Sequence, residues 1–438
     1  MIKKSVILII LLNFCLPLAR AQSKHSPASR YPSFSGLVMC GYQGWFRAEG
    51  DGSGEGWVHF GVHGRLDPAS IHVDLWPDVS EYEKTYSTAF TNENGSIARV
   101  FSSWDESTTD LHFRWMQQYG IDGVFMQRFF GVTRTEQSRQ HSRVILANAL
   151  KASQKSGRAI AVMYDLSGIK ASGEDCSSII QDWKELVDDL KITSQGTNQT
   201  YLYDKGRPVV AIWGLGFPDR AYNIHNIGVE KLIDFLKHDP QYGGCAVMLG
   251  VPTYFRELNA DCSPDPYLHK LMESADIMMP WMVGRFTPLL HEEPERYAAQ
   301  IKADLAWCNQ RHLEYAPCIY PGFSWHNLSR FEFKGQEHPL NQIPREKGDF
   351  YWSQISTAID SGAKMLYVAM FDEMDEGTAI FKCTNKPPLG SQFFDYDGMP
   401  SDYYLRLTGE AGRMLRGEIP LSKQIPIREN QKLADKIN

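Results

Sequence analysis

Several kinds of chemistry are missing from this sequence. No two of its eight cysteines are spaced Cys-x-x-Cys, so a zinc site built from paired thiolates is not written in it. His59 and His63 lack the His-Glu-x-x-His frame of a zinc hydrolase, and no metal is expected. No serine sits in a Gly-x-Ser-x-Gly elbow, and no cysteine is placed as a nucleophile. The glycine-rich run Asp51–Gly56 follows no strand and opens no helix, so it is not a phosphate loop. Positive charge is scarce: 45 Lys and Arg against 52 Asp and Glu leave a net charge of -7. That balance argues against nucleic acid or an anionic membrane surface as a partner. Beyond Leu18 no apolar run approaches the roughly 20 residues that a membrane-spanning helix requires.

The one long apolar run, Val6 to Leu18, follows Lys3 and Lys4 and precedes Ala19-Arg20-Ala21. This is the pattern of a secretory signal peptide cleaved after Ala21, and it implies a secreted or periplasmic protein without membrane insertion. Cys15 follows Phe14 rather than a small residue, so a lipoprotein site is not expected. Removal of residues 1–21 takes away Lys3, Lys4 and Arg20 and moves the charge to about -10. Residues 22–35 are polar and rich in Ser and Pro, the composition of a disordered lead-in. Residues 36–420 are expected to form one catalytic domain and 421–438 a tail. Cys40, Cys245 and Cys318 lie in apolar runs and are expected in the core. Cys176 and Cys262 lie in loop-like sequence, where export would allow a disulfide. Aromatic residues make up 12% of the chain, which suits either a large core or a cleft whose rings stack on sugars.

Apolar and amphipathic segments alternate along the whole chain. The apolar segments at 37–46, 121–127, 158–164, 208–213, 245–250, 275–281, 315–320 and 364–371 read as strands. The segments at 107–119, 137–156, 179–190, 229–238, 267–274, 294–310, 350–361 and 403–415 read as helices. Eight β and eight α units in alternation predict an α/β fold, a (β/α)8 TIM barrel in a single domain. An open doubly wound sheet would need a glycine-rich phosphate turn after an early strand, and none is present. The long loop after the first strand, 47–106, is expected to wall one side of a cleft.

In a barrel of parallel strands the chemistry gathers at the C-terminal strand ends. Those ends carry Tyr42, Gln43 and Trp45, then Gln127 and Arg128, Tyr164 and Asp165, Trp213, Trp281, and Tyr320 with Trp325. The last apolar run, Met365 to Phe371, breaks into Asp372, Glu373, Asp375 and Glu376, followed by Gly377. Carboxylates at the end of a buried strand are costly unless something pairs or uses them. Glycoside hydrolysis uses two acids, and neighbouring acids push their proton affinities apart so that one stays protonated near neutrality. Glu373 and Glu376 are the natural pair. Asp165 is either a third acid or a turn residue, Arg128 a substrate ligand or an ion-pair partner, and Asp372 and Asp375 supports for the pair.

Four segments, Gly41–Phe46, His112–Arg128, Met163–Gly168 and Glu373–Gly377, resemble the glycoside hydrolase family 71/99-like group, relatives of the endo-α-1,2-mannosidases of family 99. The resemblance implies a barrel and a retaining reaction without a carboxylate nucleophile and without a cofactor. By it, Glu373 would take the proton from the sugar's own 2-hydroxyl, which attacks the anomeric carbon to give a 1,2-anhydro sugar. Glu376 would protonate the leaving oxygen and then activate water. Met374 and Asp375 stand where family 99 commonly has an aromatic residue and a histidine. The partner implied is a carbohydrate, mannan-type favoured, with α-glucan or xylose- and arabinose-containing glycans as alternatives. A barrel that binds glycans without cleaving them remains a second reading. A metal-dependent hydrolase is a third, with His326 as its one rim histidine.

Overall fold

A computed structural model describes residues 22–194, 199–332 and 337–427. The expected leader, 1–21, and the last part of the expected tail, 428–438, lie outside the described residues. The described chain is a closed barrel of eight parallel strand positions: β1 (Val38–Tyr42), β2 (Gly123–Phe129), β3 (Ala159–Asp165), β4 (Arg207–Trp213), β5 (Ala246–Pro252), β6 (Ile277–Trp281), β7 (Glu314–Tyr315 and Cys318–Ile319) and β8 (Leu366–Val368). The intervening helices are α1 (Glu106–Tyr119), α2 (Glu136–Ser156), α3 (Ser177–Asp189), α4 (Val229–His238), α5 (Tyr267–Glu273), α6 (Glu293–Gln310) and α7 (Asp349–Asp360), with α8 (Tyr403–Leu415) after β8. The strands are buried on both faces, which is why they read as unbroken apolar runs.

The seventh strand differs from the single run expected at 315–320. Its first half pairs with β6 and its second half with β8, so a strand broken at Ala316-Pro317 closes the ring. Proline has no N–H to donate, so it suits the point where the chain hands over from one neighbour to the other. The last strand is also shorter than expected, because ladder pairing ends at Val368. Phe371 still donates its N–H to Gly41 across the rim, at 2.8 Å.

The lead-in is not disordered. Residues 24–31 run along the barrel, with Lys24 N–H on Gln241, Ser26 N–H on Thr193 and Arg30 N–H on Gln199. The Tyr31 hydroxyl donates to the Gly157 carbonyl at 2.5 Å. Polar composition misled here because the segment's backbone groups find partners on the barrel rather than water. The described cysteines are all unpaired and buried, Cys176 and Cys262 included.

The loop between β1 and α1 has little regular structure beyond one hairpin, Tyr86–Thr91 with Ile97–Val100. Its backbone is bonded to the loop after β8: Asp74 N–H to Met374, Asp78 N–H to Lys382, and Thr384 N–H to Trp76. The Asp74 carboxylate accepts from Ser324 Oγ and from the backbone N–H groups of His326 and Asn327. The insertion therefore ties the loops after β7 and β8 together.

Candidate active site

Strand register sorts the rim residues into two faces. Gln127 pairs with Met163, Phe129 with Asp165, Asp165 with Trp213, and Trp213 with Gly250. These side chains share the inner face, because partners in a parallel ladder point the same way. Arg128 pairs with Tyr164 and shares the outer face.

The outer set does not reach the cleft. Arg128 is buried and donates to both oxygens of Asp182 on α3, at 2.9 and 2.5 Å. The Tyr164 hydroxyl donates to the same carboxylate at 2.8 Å. Tyr42 is buried with its hydroxyl 2.8 Å from His112 Nδ1 on α1. Tyr320 is buried too and donates its hydroxyl to the Phe286 carbonyl at 2.5 Å. Tyr42, Tyr164 and Tyr320, expected to bind substrate, are packed away from the cleft instead, and Arg128, expected as either a substrate ligand or an ion-pair partner, is the ion-pair partner.

The inner set converges on the loop after β8. That loop is a tight turn in which Thr378 and Ala379 both donate their N–H to the Glu373 carbonyl. Gly377 adopts φ +63, and a Cβ there would crowd the Ser324 backbone at 2.8 Å, so the position needs glycine. Ser324 N–H in turn donates to the Glu376 carbonyl at 2.9 Å, which brings Trp325 next to the turn. The Trp325 indole N–H donates to Gln342 Oε1 at 3.0 Å.

Each acid of the loop has a distinct setting. Asp372 is fully buried and accepts the backbone N–H groups of Gln43 and Gly44, at 2.8 and 2.9 Å, so it clasps the end of β1. Burial pushes it up to about 7. Glu373 accepts from Gln43 Nε2 at 2.6 Å and from Thr378 Oγ1 at 2.7 Å, and is only 4% exposed. Burial and the charges of Glu376 and Asp375 hold it well above the ordinary glutamate range. Glu376 is half-buried, and among the described residues no hydrogen-bond donor reaches its carboxylate. Burial, then Asp375 and Asp165, push it up to about 8. Asp375 Oδ2 lies 3.0 Å from His59 Nδ1, and among the described residues this is the one histidine contact on these acids.

Around the acids stand the other inner residues. Asp165 accepts from the backbone N–H and hydroxyl of Ser167, and burial pushes it up to about 6. Gln127 Nε2 lies 3.2 Å from the Tyr367 hydroxyl. Trp45 is stacked between His59, at 3.6 Å, and Phe129, at 5.2 Å. Trp213 and Trp281 meet edge to face at 5.2 Å, and a Cβ on Gly250 would run into the Trp213 ring. Arg220 lies over Trp213, 5.4 Å from the ring centroid. Among the described residues no group of three or more His, Cys, Asp or Glu is arranged to hold a metal ion.

Thr378, Asp74, His59 as an acid partner, and Asp182 escaped sequence reasoning. Thr378 had a signal, since it follows the acidic motif by two residues. Asp74 and Asp182 had none, because each meets its partners only after folding.

The model of glycosyl hydrolase family 99 matches residues 297–416, a stretch that contains Glu373 and Glu376. The resemblance is to glycosyl hydrolase family 99. A glycoprotein endo-alpha-1,2-mannosidase-like protein of Danio rerio is 26% identical over 113 residues, 24% of this chain. The chain spans 23% of the length of that relative in this match. The GH99 endo-alpha-mannosidase of Bacteroides thetaiotaomicron superposes with a TM-score of 0.56 at 16% identity, covering 88% of this chain and 99% of that one. Its complex with BIS-TRIS-propane superposes equally well, at 14% identity. At such identity the likeness establishes the fold, a (β/α)8 barrel.

Proposed function

We propose that this protein is an exported, retaining glycoside hydrolase that cleaves an α-linked glycan of mannan type, with Glu373 as base and Glu376 as acid/base. The observation that carries the reading is the unequal setting of the two glutamates. Gln43 and Thr378 both donate to Glu373, which offsets part of the upward push from burial and from the Glu376 and Asp375 charges and readies it to accept a proton. Glu376 has no such donor among the described residues, is the more exposed of the two, and is pushed up to about 8, so it carries a proton at neutral pH. One buried base and one accessible acid are what glycosidic cleavage requires.

In the reaction, Glu373 takes the proton of the sugar 2-hydroxyl, and that oxygen forms a bond to C1 on the face opposite the leaving group. The bond from C1 to the leaving oxygen breaks as Glu376 gives that oxygen its proton. The product is a 1,2-anhydro sugar, with Glu373 protonated and Glu376 ionised. Water then attacks C1 as Glu376 takes its proton, while Glu373 returns a proton to O2. Two inversions at C1 give net retention. Asp165, Gln127, Trp45, Trp213, Trp281 and Trp325 supply acceptors, donors and ring faces around the pair.

The test is a panel of α-mannans, α-glucans and arabinoxylans incubated with the purified protein and with Glu376→Gln. Oligosaccharide release from α-mannan that disappears in the variant supports the reading. A product first seen by proton NMR as the inverted anomer would overturn the retaining mechanism. Binding to one polymer without release, in the unmutated protein, would favour the glycan-binding barrel.

A further inference from the structure

Asp375 separates the two glutamates in sequence and is 2% exposed, yet nothing in the proposed reaction uses it. One of its oxygens meets His59 at 3.0 Å, and the other is buried without a partner among the described residues. His59 comes from the insertion after β1, in a left-handed backbone conformation at φ +60. Its ring lies flat on Trp45, 3.6 Å away with planes 7° apart. Trp45 rests on Phe129 at the end of β2. The imidazole is thus clamped in place before it meets the carboxylate. A half-satisfied buried carboxylate is costly, so its presence beside three other acids points to use rather than packing.

We propose that Asp375, anchored by His59, is a positioning residue whose charge sets how tightly the neighbouring Glu373 and Glu376 hold protons. This rests on the assignment of those two glutamates as the working pair. The groups facing Asp375 are Asp372, Glu373 and Glu376 on its own loop and His59 and His72 from the insertion, with His63 beside His72. Asp165 on β3, itself faced by Arg220, completes the acidic side. Behind the loop, Arg345 donates to the Gly377 and Ala379 carbonyls at 2.8 and 2.6 Å, and Asp74 N–H donates to Met374. Among the described residues no Lys or Arg forms an ion pair with any of the five acids, so a negative charge on Asp375 acts on the pair with little compensation. The Asp375 charge raises both Glu373 and Glu376, in agreement with this geometry. His72 is buried with neither ring nitrogen partnered among the described residues and is pushed down to about 4, so it stays neutral and does not cancel that charge.

The experiment is a carbon-13 NMR titration of glutamate side-chain carboxyls in the full protein, with the signals assigned by Glu373→Gln and Glu376→Gln. Asp375→Asn keeps the shape and removes the charge. It is expected to move the Glu376 midpoint down by about one pH unit, and Asp375→Glu is expected to restore it. His59→Leu removes the side chain that fixes the Asp375 carboxylate beside the pair, and Glu376 is expected to move in the same direction. This second variant serves if Asp375→Asn fails to fold. An unchanged or upward midpoint in a folded variant overturns the proposal. The titration needs no substrate: if the unmutated protein cleaves nothing on the panel, the glycosidase reading falls while the midpoint result stands. With an active substrate, the alkaline limb of kcat/KM is expected to follow the same shift, which a merely structural aspartate would not produce.

Discussion

Two clusters of buried charge lie on opposite faces of the barrel wall. On the outer face, Arg128 and Tyr164 converge on Asp182, and every oxygen of that carboxylate has a donor. On the inner face, Asp165, Asp372, Glu373, Asp375 and Glu376 crowd together, with no Lys or Arg ion pair and one histidine contact among the described residues. The first cluster is neutral overall and joins β2 and β3 to α3. The second concentrates like charge, and burial pushes its members toward neutral pH: Asp165 to about 6, Asp372 to about 7 and Glu376 to about 8. Compensated charge marks what holds the barrel, and uncompensated charge marks where proton transfer is stored.

The contrast is broken most sharply at the glutamates. Glu373→Gln and Glu376→Gln are each expected to lower kcat by about 10³-fold or more. Their melting temperatures should be no lower than that of the unmutated protein, since each replaces a buried acid in a like-charged cluster with a neutral amide of the same shape. Activity assays beside thermal melts check both statements.

The opposite pattern is expected on the outer face. Arg128→Met strands Asp182 without its cation and should cost about 3–5 kcal/mol of stability. Denaturant titration measures this, and a loss below about 1 kcal/mol would mean that Asp182 finds another partner or a proton.

A third difference appears in pH. A carboxyl raised above its unfolded value contributes stability that is present below the ordinary carboxylate range and is lost as pH rises through its folded value. For Asp165, Asp372 and Glu376 that loss falls between about pH 4 and 8. The melting temperature is therefore expected to decline from pH 5 to pH 8.5. In Glu376→Gln the decline should be shallower by on the order of a few degrees, because one titrating group is gone. An equal slope in both proteins would show that the glutamate is not buried as described.

The smallest effect concerns the ring wall. Gly250→Ala pushes on Trp213, and overpacking of this kind costs about 1–3 kcal/mol. If Trp213 only receives the sugar, KM should rise several-fold with kcat nearly unchanged.

Most of the fold was legible in the sequence. Helices α4 and α8 fall on the residues expected, and the other helix starts agree to within two residues, because amphipathic repeats and terminal glycines such as Gly120 and Gly157 mark them. The acidic turn after β8 was legible too, since polar residues stand out against an apolar run. The rim was only half legible. Tyr42, Arg128, Tyr164 and Tyr320 stand beside residues that do face the acids, and nothing local separates them. A strand facing water on one side alternates polar and apolar and so declares its phase. These strands are buried on both sides and do not.

The sequence by itself determined the repeating βα units, the count that closes a barrel, and the two glutamates on one turn. Those features follow from local periodicity and from the cost of placing acids after a buried strand. Only the tertiary structure decided which face each rim residue takes, where β7 breaks, and that Asp74 and His59 reach across from the insertion to the acidic loop. Each of these depends on partners far apart in the chain, so the deciding free energy exists only once the barrel has closed and brought them together.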